Sequence, residues 1–293
     1  MSSNPESRTL LDTPAEGLFE RSVSLVCWGY NEEANIEAFL RRADDLLRNN
    51  VREYEIVIVD DGSTDRTNEI IRSLQGELPH LVLLTNETNR NVAYSARRAF
   101  QAASKEFTFW QTVDWSYDIT NLRRFLALLE SHDVVAGVRR APSPYRNPVV
   151  KVIATLSDLF VKDIDTRSDT RLKAFISLCN YSLIRTLFQF PMSDYQNVDF
   201  YPTRLLQSIE IESDSAFSNP ELLLKAYWRG AHIKEVPIAF IPRKLGTAKG
   251  TRFIPVVKAA MNVFGFWFKW IVLGRRRRVE IGRISRLDPS EWS

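Results

Sequence analysis

Val59-Asp60-Asp61-Gly62-Ser63-Thr64-Asp65 closes the apolar run Tyr54-Glu55-Ile56-Val57-Ile58. Carboxylates at such a strand end can accept hydrogen bonds from a base N–H or from ribose hydroxyls, and the helix N-terminus beyond the turn favours anionic groups. Asp and Ser also serve as ordinary turn and cap residues, so the segment alone fits a plain strand–helix turn equally well. Other polar groups end apolar runs in the same way: Tyr30, Asn31 and Glu32 follow one, Asp114 another and Arg139 a third. If all of these runs are strands of one sheet, the polar residues gather on one edge.

The elements that must position them read clearly. Ser22 to Trp28, Tyr54 to Val59, Leu81 to Leu84, Phe107 to Val113 and Asp133 to Gly137 are short, near-continuous apolar runs, predicted as buried strands. Between them lie helical patterns: Ile36, Phe39, Leu40, Ala43, Leu46 and Leu47 recur at helical spacing, and helices are expected over 65–74, 92–103 and 121–130. Strict βα alternation implies an α/β fold, a mostly parallel sheet with helices on both faces, whose ligands lie at the carboxyl ends of the strands.

Composition narrows the class. With 293 residues, 44% hydrophobic and 26% charged, the chain is long enough for one large α/β domain and is globular rather than disordered. A net charge of +3 gives no argument for nucleic acid, and no nucleic-acid partner is expected. Cys27 and Cys179 do not make a disulfide framework, and the three histidines, His80, His132 and His232, are too scattered for a zinc site. Residues 1–20 are polar, lack an apolar signal core and are expected to form a flexible tail.

In this context Tyr30-Asn31-Glu32-Glu33 resembles the YNEE donor motif of family 2 glycosyltransferases of the GT-A fold, and Val59 to Asp65 resembles their VDDGSxD. Asp114 falls at that family's metal-binding DxD, Gly137-Val138-Arg139 resembles its GSR, and Leu172-Lys173-Ala174-Phe175 is similar to its GFKxF. Glu221-Leu222-Leu223-Leu224-Lys225-Ala226, Gly230, Glu235-Val236-Pro237-Ile238 and Arg243-x-x-Gly246-x-x-Lys249 resemble late motifs of the branch with dolichyl-phosphate-mannose synthases and bacterial polyprenyl-phosphate relatives. Three departures stand out. Trp28 occupies a usual Pro position, Thr112 replaces the first carboxylate of the DxD, and Asp169-Thr170-Arg171 breaks the family spacing.

The resemblance implies an inverting transfer of sugar from a nucleotide-diphosphate donor. It assigns the donor to Tyr30, Asn31, Glu32, Asp60, Asp61 and Arg139; Arg90, after the third strand, is either a further donor contact or a surface turn residue. A divalent cation, Mg2+ or Mn2+, would sit on Asp114, with Asp118 either reaching back as a second ligand or capping the next helix. Glu221 is the positional general base; a helix-N-terminal Glu favoured by the dipole is its other reading. A polyprenyl phosphate acceptor needs no base, because a phosphomonoester is already ionised near neutrality. It needs cations instead, and Arg243 and Lys249 fit that role. The alternatives are a saccharide hydroxyl acceptor and, in a different class, a non-catalytic nucleotide- or lipid-binding protein.

Phe253 to Leu273 is largely apolar and precedes Arg275-Arg276-Arg277-Arg278. Lys258, Asn262, Gly265 and Lys269 share one helix face, which disfavours a simple membrane span. An amphipathic helix in the membrane interface, with the arginines on anionic head groups, is expected; packing on the protein's own core is the alternative. The expected organisation is therefore a tail (1–20), a GT-A domain (21–250), and a membrane-interface helix with a basic tail (251–293). The corresponding location is peripheral, on the cytoplasmic face of the membrane.

Overall fold

The computed structural model describes residues 17–138, 183–195, 197–215, 217–239, 241, 261–274 and 281–286. Its centre is one eight-stranded sheet. The strands are β1 (Val23–Gly29), β2 (Tyr54–Asp60), β3 (Leu81–Thr85), β4 (Phe107–Trp110), β5 (Val134–Val138), β6 (Asp199–Pro202), β7 (His232–Pro237) and β8 (Arg283–Arg286). They lie in the order β3-β2-β1-β4-β6-β5-β7-β8. All neighbours pair in parallel except β6, which runs antiparallel to both β4 and β5.

The five predicted strands are present, with β4 ending three residues early, at Trp110. Every residue of β2 is buried, as a central parallel strand covered on both faces requires. The helices are α1 (Ile36–Arg48), α2 (Thr67–Leu74), α3 (Val92–Ala102), α4 (Leu122–Leu128), α5 (Thr203–Ser208) and α6 (Ser218–Tyr227). Helix α1 buries Ile36, Phe39, Leu40, Ala43 and Leu47, the face its spacing predicted. Each large apolar side chain removed from water there is worth about 1.5–3 kcal/mol.

Strand β6 and the two residues before it, Asn197 and Val198, reach the edge where β4 and β5 end. Gly137 N donates to Val198 O at 2.9 Å and Asn197 Nδ2 to Gly137 O at 2.9 Å. The separate C-terminal region expected from the sequence is corrected at β8, which pairs with β7 as the outer strand of this same sheet. Gly282 makes this possible. A Cβ at that position would lie 2.1 Å from Ala231 O, so only glycine lets the returning chain approach so closely. Arg286 Nε then donates to the buried Glu235 at 2.6 Å.

The C-terminal helix, described over 261–272 with its last turn in π geometry from Phe268 to Val272, packs on the domain. Trp270 and Val263 are buried, and the Trp270 ring meets those of Phe188, Phe217, Trp228 and Phe266. The single wide apolar surface expected for this segment is thus divided into a packed face and an outer face. Among the described residues, no helix is long and apolar enough to cross a membrane.

Candidate active site

The carboxyl edge of β1, β2, β3 and β4 collects most of the predicted site residues through a small set of backbone links. Asp61 N donates to Gly29 O and Asn86 N to Asp60 O, each at 2.9 Å, so the β1, β2 and β3 exits are tied side by side. Gly62 has φ +73, and a Cβ there would lie 2.5 Å from the Thr88 backbone. The β2 turn therefore lies flat against the β3–α3 loop.

Within this frame the two aspartates have different jobs. Asp60 is buried and divides its oxygens between Ser63 N (3.0 Å) and Asn68 Nδ2 (2.7 Å). It holds the turn. Asp61 is also buried, and its hydrogen bonds all fall on Oδ1: from Asn86 Nδ2 at 2.6 Å, and from Ser95 Oγ and Arg90 N at 2.9 Å. Its second oxygen is left to receive a ligand N–H or O–H. Asn31 is a loop pin, with Oδ1 accepting from Thr64 N at 2.8 Å and its own N donating to Ser63 Oγ at 3.0 Å. Glu32 accepts from Asn35 Nδ2 at 3.1 Å, while its N donates to Thr67 Oγ1 at 2.8 Å. The exposed Arg90 guanidinium lies 4.7 Å above the Tyr94 ring, while the Arg90 backbone N is the group that meets Asp61. Tyr30 is half-buried at the β1 exit.

Asp114 lies in the turn after β4. Ser116 donates to its Oδ1 through both N (3.2 Å) and Oγ (2.5 Å). Trp115 follows with φ +54, a strained value for a bulky residue. Its indole is clamped by Phe39 and by the Arg42 guanidinium 4.2 Å above it. That clamp keeps the Asp114 turn rigid. A hard cation such as Mg2+ accepts one or two carboxylates together with phosphate oxygens, so Asp114 fits as its protein ligand beside a diphosphate. Asp118 Oδ1 accepts from Thr120 N (3.0 Å) and Thr120 Oγ1 (2.5 Å), a local turn rather than the cap of α4, whose N-cap residue is Asn121. Among the described residues, no group of three or more His, Cys, Asp and Glu is placed to hold a metal.

Glu221 has the surroundings of a structural carboxylate. It is completely buried in α6, accepts from Glu212 N and Ser213 N at 2.8 Å on its two oxygens, and pairs with Lys225. Lys225 also meets Glu212 at 3.0 Å and Glu210 O at 2.6 Å. Fully buried and engaged on both oxygens, this carboxylate is closed to an acceptor hydroxyl. Its work is to hold α6 and, through Glu212 and its pair with Lys269, the C-terminal helix.

One group escaped the sequence reading. Asp199 opens β6 at the carboxyl edge, is 1% exposed, and neither of its oxygens has a hydrogen-bond partner. Burial pushes its carboxyl well above the usual range; Asn219 offsets part of this and the nearby Asp194 adds to it. Tyr201, two residues on and so on the same face, has an unpartnered hydroxyl, and so does the Trp110 indole N–H at the end of β4. Unpaired buried polar atoms grouped at a sheet edge mark a place built for something other than packing. Asp199 carried no motif; the only sequence signal was an acidic residue opening an apolar stretch. Arg139, Arg243 and Lys249 lie outside the described residues, as do Arg167, Asp169, Arg171 and the GFKxF-like segment.

Comparison with known proteins bears on this edge. The profile of glycosyl transferase family 2 matches residues 24–189, more than half of the chain. Among solved structures, the chain is similar to glucosyl-3-phosphoglycerate synthase from Mycobacterium tuberculosis, in complex with Mn2+, uridine diphosphate and phosphoglyceric acid. That match has a TM-score of 0.53 and 16% identity over 85% of this chain and 78% of that one. It is also similar to S. aureus TarS 1-349 in complex with UDP-GlcNAc, with a TM-score of 0.51 and 19% identity over 83% and 66% of the two chains. Another TarS 1-349 structure matches with a TM-score of 0.45 and 21% identity over 71% of this chain, and the chain spans 55% of that one. At these identities the likeness is one of fold.

Proposed function

The chain belongs to glycosyl transferase family 2 and is a glycosyltransferase using nucleotide-sugar donors; we propose that it transfers the sugar, with inversion, to a polyprenyl phosphate at the cytoplasmic face of a membrane. The donor's base and ribose meet Asp61 and Tyr30, with Arg90 beside them. A divalent cation held by Asp114 and the donor's diphosphate would neutralise the leaving group. The M. tuberculosis synthase of the same fold was crystallised with Mn2+ and uridine diphosphate, which supports that assignment. The acceptor phosphate oxygen attacks the anomeric carbon, the carbon–oxygen bond to the diphosphate breaks, and the nucleoside diphosphate leaves.

The observation that carries the acceptor half is the engagement of Glu221. With its two oxygens held by Glu212 N, Ser213 N and Lys225, the expected base is unavailable. An acceptor that arrives already ionised does not need one. Arg243 and Lys249, which resemble the branch's late motif, remain the proposed cations for that phosphate.

A second reading rests on Asp199. A buried carboxyl with a raised pKa is a stronger base once ionised, and it could serve a saccharide hydroxyl. Radiolabelled nucleotide sugars offered with detergent-dispersed polyprenyl phosphate or with saccharide acceptors separate the two. An organic-extractable, acid-labile product that survives Asp199→Asn within about tenfold supports the lipid phosphate. Water-soluble product alone, lost by a factor of about 100 or more in Asp199→Asn, supports the hydroxyl acceptor.

A further inference from the structure

The C-terminal helix has two opposed apolar faces, and only one of them is used by the fold. Val263 and Trp270 point into the domain, each 1% exposed. Met261 (68% exposed), Phe264 (48%), Phe268 (51%) and Val272 (52%) recur at spacings of three, four and four on the outside. At about 100° per residue these four fall within roughly 80° of one another, on the side opposite Val263 and Trp270. Two exposed phenylalanines flanked by further apolar groups form a surface that needs a partner.

We propose that this outer face, Met261-Phe264-Phe268-Val272, is the surface by which the enzyme lies on an anionic lipid bilayer. The proposal rests on the membrane half of the reading above and adds which residues enter the lipid. Three features select a bilayer over a protein partner. The inner face is packed on the domain, with Trp270 and Val263 buried, so this helix can lie along a bilayer boundary but not be surrounded by lipid. Gly274, with φ +60, terminates it, and Arg275-Arg276-Arg277-Arg278 follow at once in the sequence. Four arginines next in sequence to an apolar stripe match the pairing of negative head groups with acyl chains. The inner face is fixed to the domain by the buried Trp270 and by the Lys269–Glu212 ion pair. Insertion of the outer face therefore orients the whole domain on the lipid.

Flotation of the full chain with vesicles of pure phosphatidylcholine, and of phosphatidylcholine mixed with phosphatidylglycerol, tests this. The wild type should float with the anionic vesicles, and Phe264→Ser/Phe268→Ser should weaken that binding about tenfold or more. Both side chains are exposed, so the variant should keep its melting temperature. Replacing the four arginines with glutamine should abolish the preference for anionic lipid. Three results overturn the proposal: no flotation of the wild type, unchanged binding of the double serine variant, or light scattering showing a dimer that the variant dissolves. The acceptor reading fails separately. An enzyme that floats through this face but makes only water-soluble product keeps the surface and loses the polyprenyl phosphate; one that glycosylates dispersed polyprenyl phosphate without floating does the reverse.

Discussion

Asp61→Asn tests the division of labour between the paired aspartates. In the wild type Oδ1 holds three donors, Asn86 Nδ2, Ser95 Oγ and Arg90 N, and the other oxygen is the one proposed to meet the nucleotide. An amide keeps a neutral acceptor towards the three donors but presents N–H where the nucleotide requires an acceptor. A hydrogen bond to a charged group is worth about 1.5–3 kcal/mol, so Kd for the nucleoside diphosphate should rise about 10- to 150-fold. Three charge-assisted bonds become neutral ones of about half the strength, a loss of roughly 2–4 kcal/mol in stability and about 4–12 °C in Tm. Asp60→Asn is the matched control. Its two bonds, to Ser63 N and Asn68 Nδ2, are both internal. It should lose comparable stability but weaken nucleotide binding less than about fivefold. Isothermal titration well below the melting transition, with Tm measured alongside, separates the two effects. If Asp60→Asn damages binding more than Asp61→Asn, or if Asp61→Asn binds within twofold of the wild type, the assignment is refuted.

Glu221→Gln removes the principal partner of a buried lysine while Glu212 remains, and should cost about 2–4 kcal/mol of stability in chemical denaturation. Its activity per folded molecule at low temperature should stay within a few-fold of wild type, whereas a loss of a hundredfold would restore Glu221 as the base. Asn91 sits at φ 73 and ψ 166, backbone territory that only glycine occupies comfortably, so Asn91→Gly should stabilise the protein by about 1 kcal/mol; a lower Tm would contradict the strain. Burial, followed by the neighbouring His232 and Lys234, holds the His132 imidazole below its ordinary value of 6.5. The folded state therefore favours the neutral ring: its contribution is intact above that value and is lost as pH falls through it towards the lowered folded pKa. Tm measured between about pH 7 and pH 5 should fall less steeply in His132→Gln than in the wild type, and identical slopes would exclude the effect.

Much of the donor half was legible because parallel strands and their exits have strong local signatures. Continuous apolar runs, each ending in a polar turn, are enough to put Tyr30, Asn31, Glu32, Asp60, Asp61 and Asp114 on one edge. The acceptor half was not legible in this way. Strand β6 is four residues long, ends in Pro202 and runs against its neighbours, so neither alternation nor length announces it. Asp199 consequently carried no signal of a strand end. Glu221 carried a motif, but a motif does not reveal that Lys225, one helical turn later, will claim the carboxylate. The sequence Arg283-Ile284-Ser285-Arg286 read as basic tail because its charges suit an outer strand facing water as well as they suit a disordered end. Helical periodicity found the C-terminal helix but could not divide its apolar residues between Trp270, which meets the core, and Phe268, which does not.

The central claim, that the carboxyl edge of β1 to β4 is the sugar-nucleotide site, is tested most directly by a crystal structure with a nucleoside diphosphate and Mn2+. The account predicts the base beside Tyr30 with a hydrogen bond to the second oxygen of Asp61, and the diphosphate directed towards Asp114. A nucleotide bound elsewhere on the domain, or bound at this edge with Asp61 out of hydrogen-bonding reach, would contradict it.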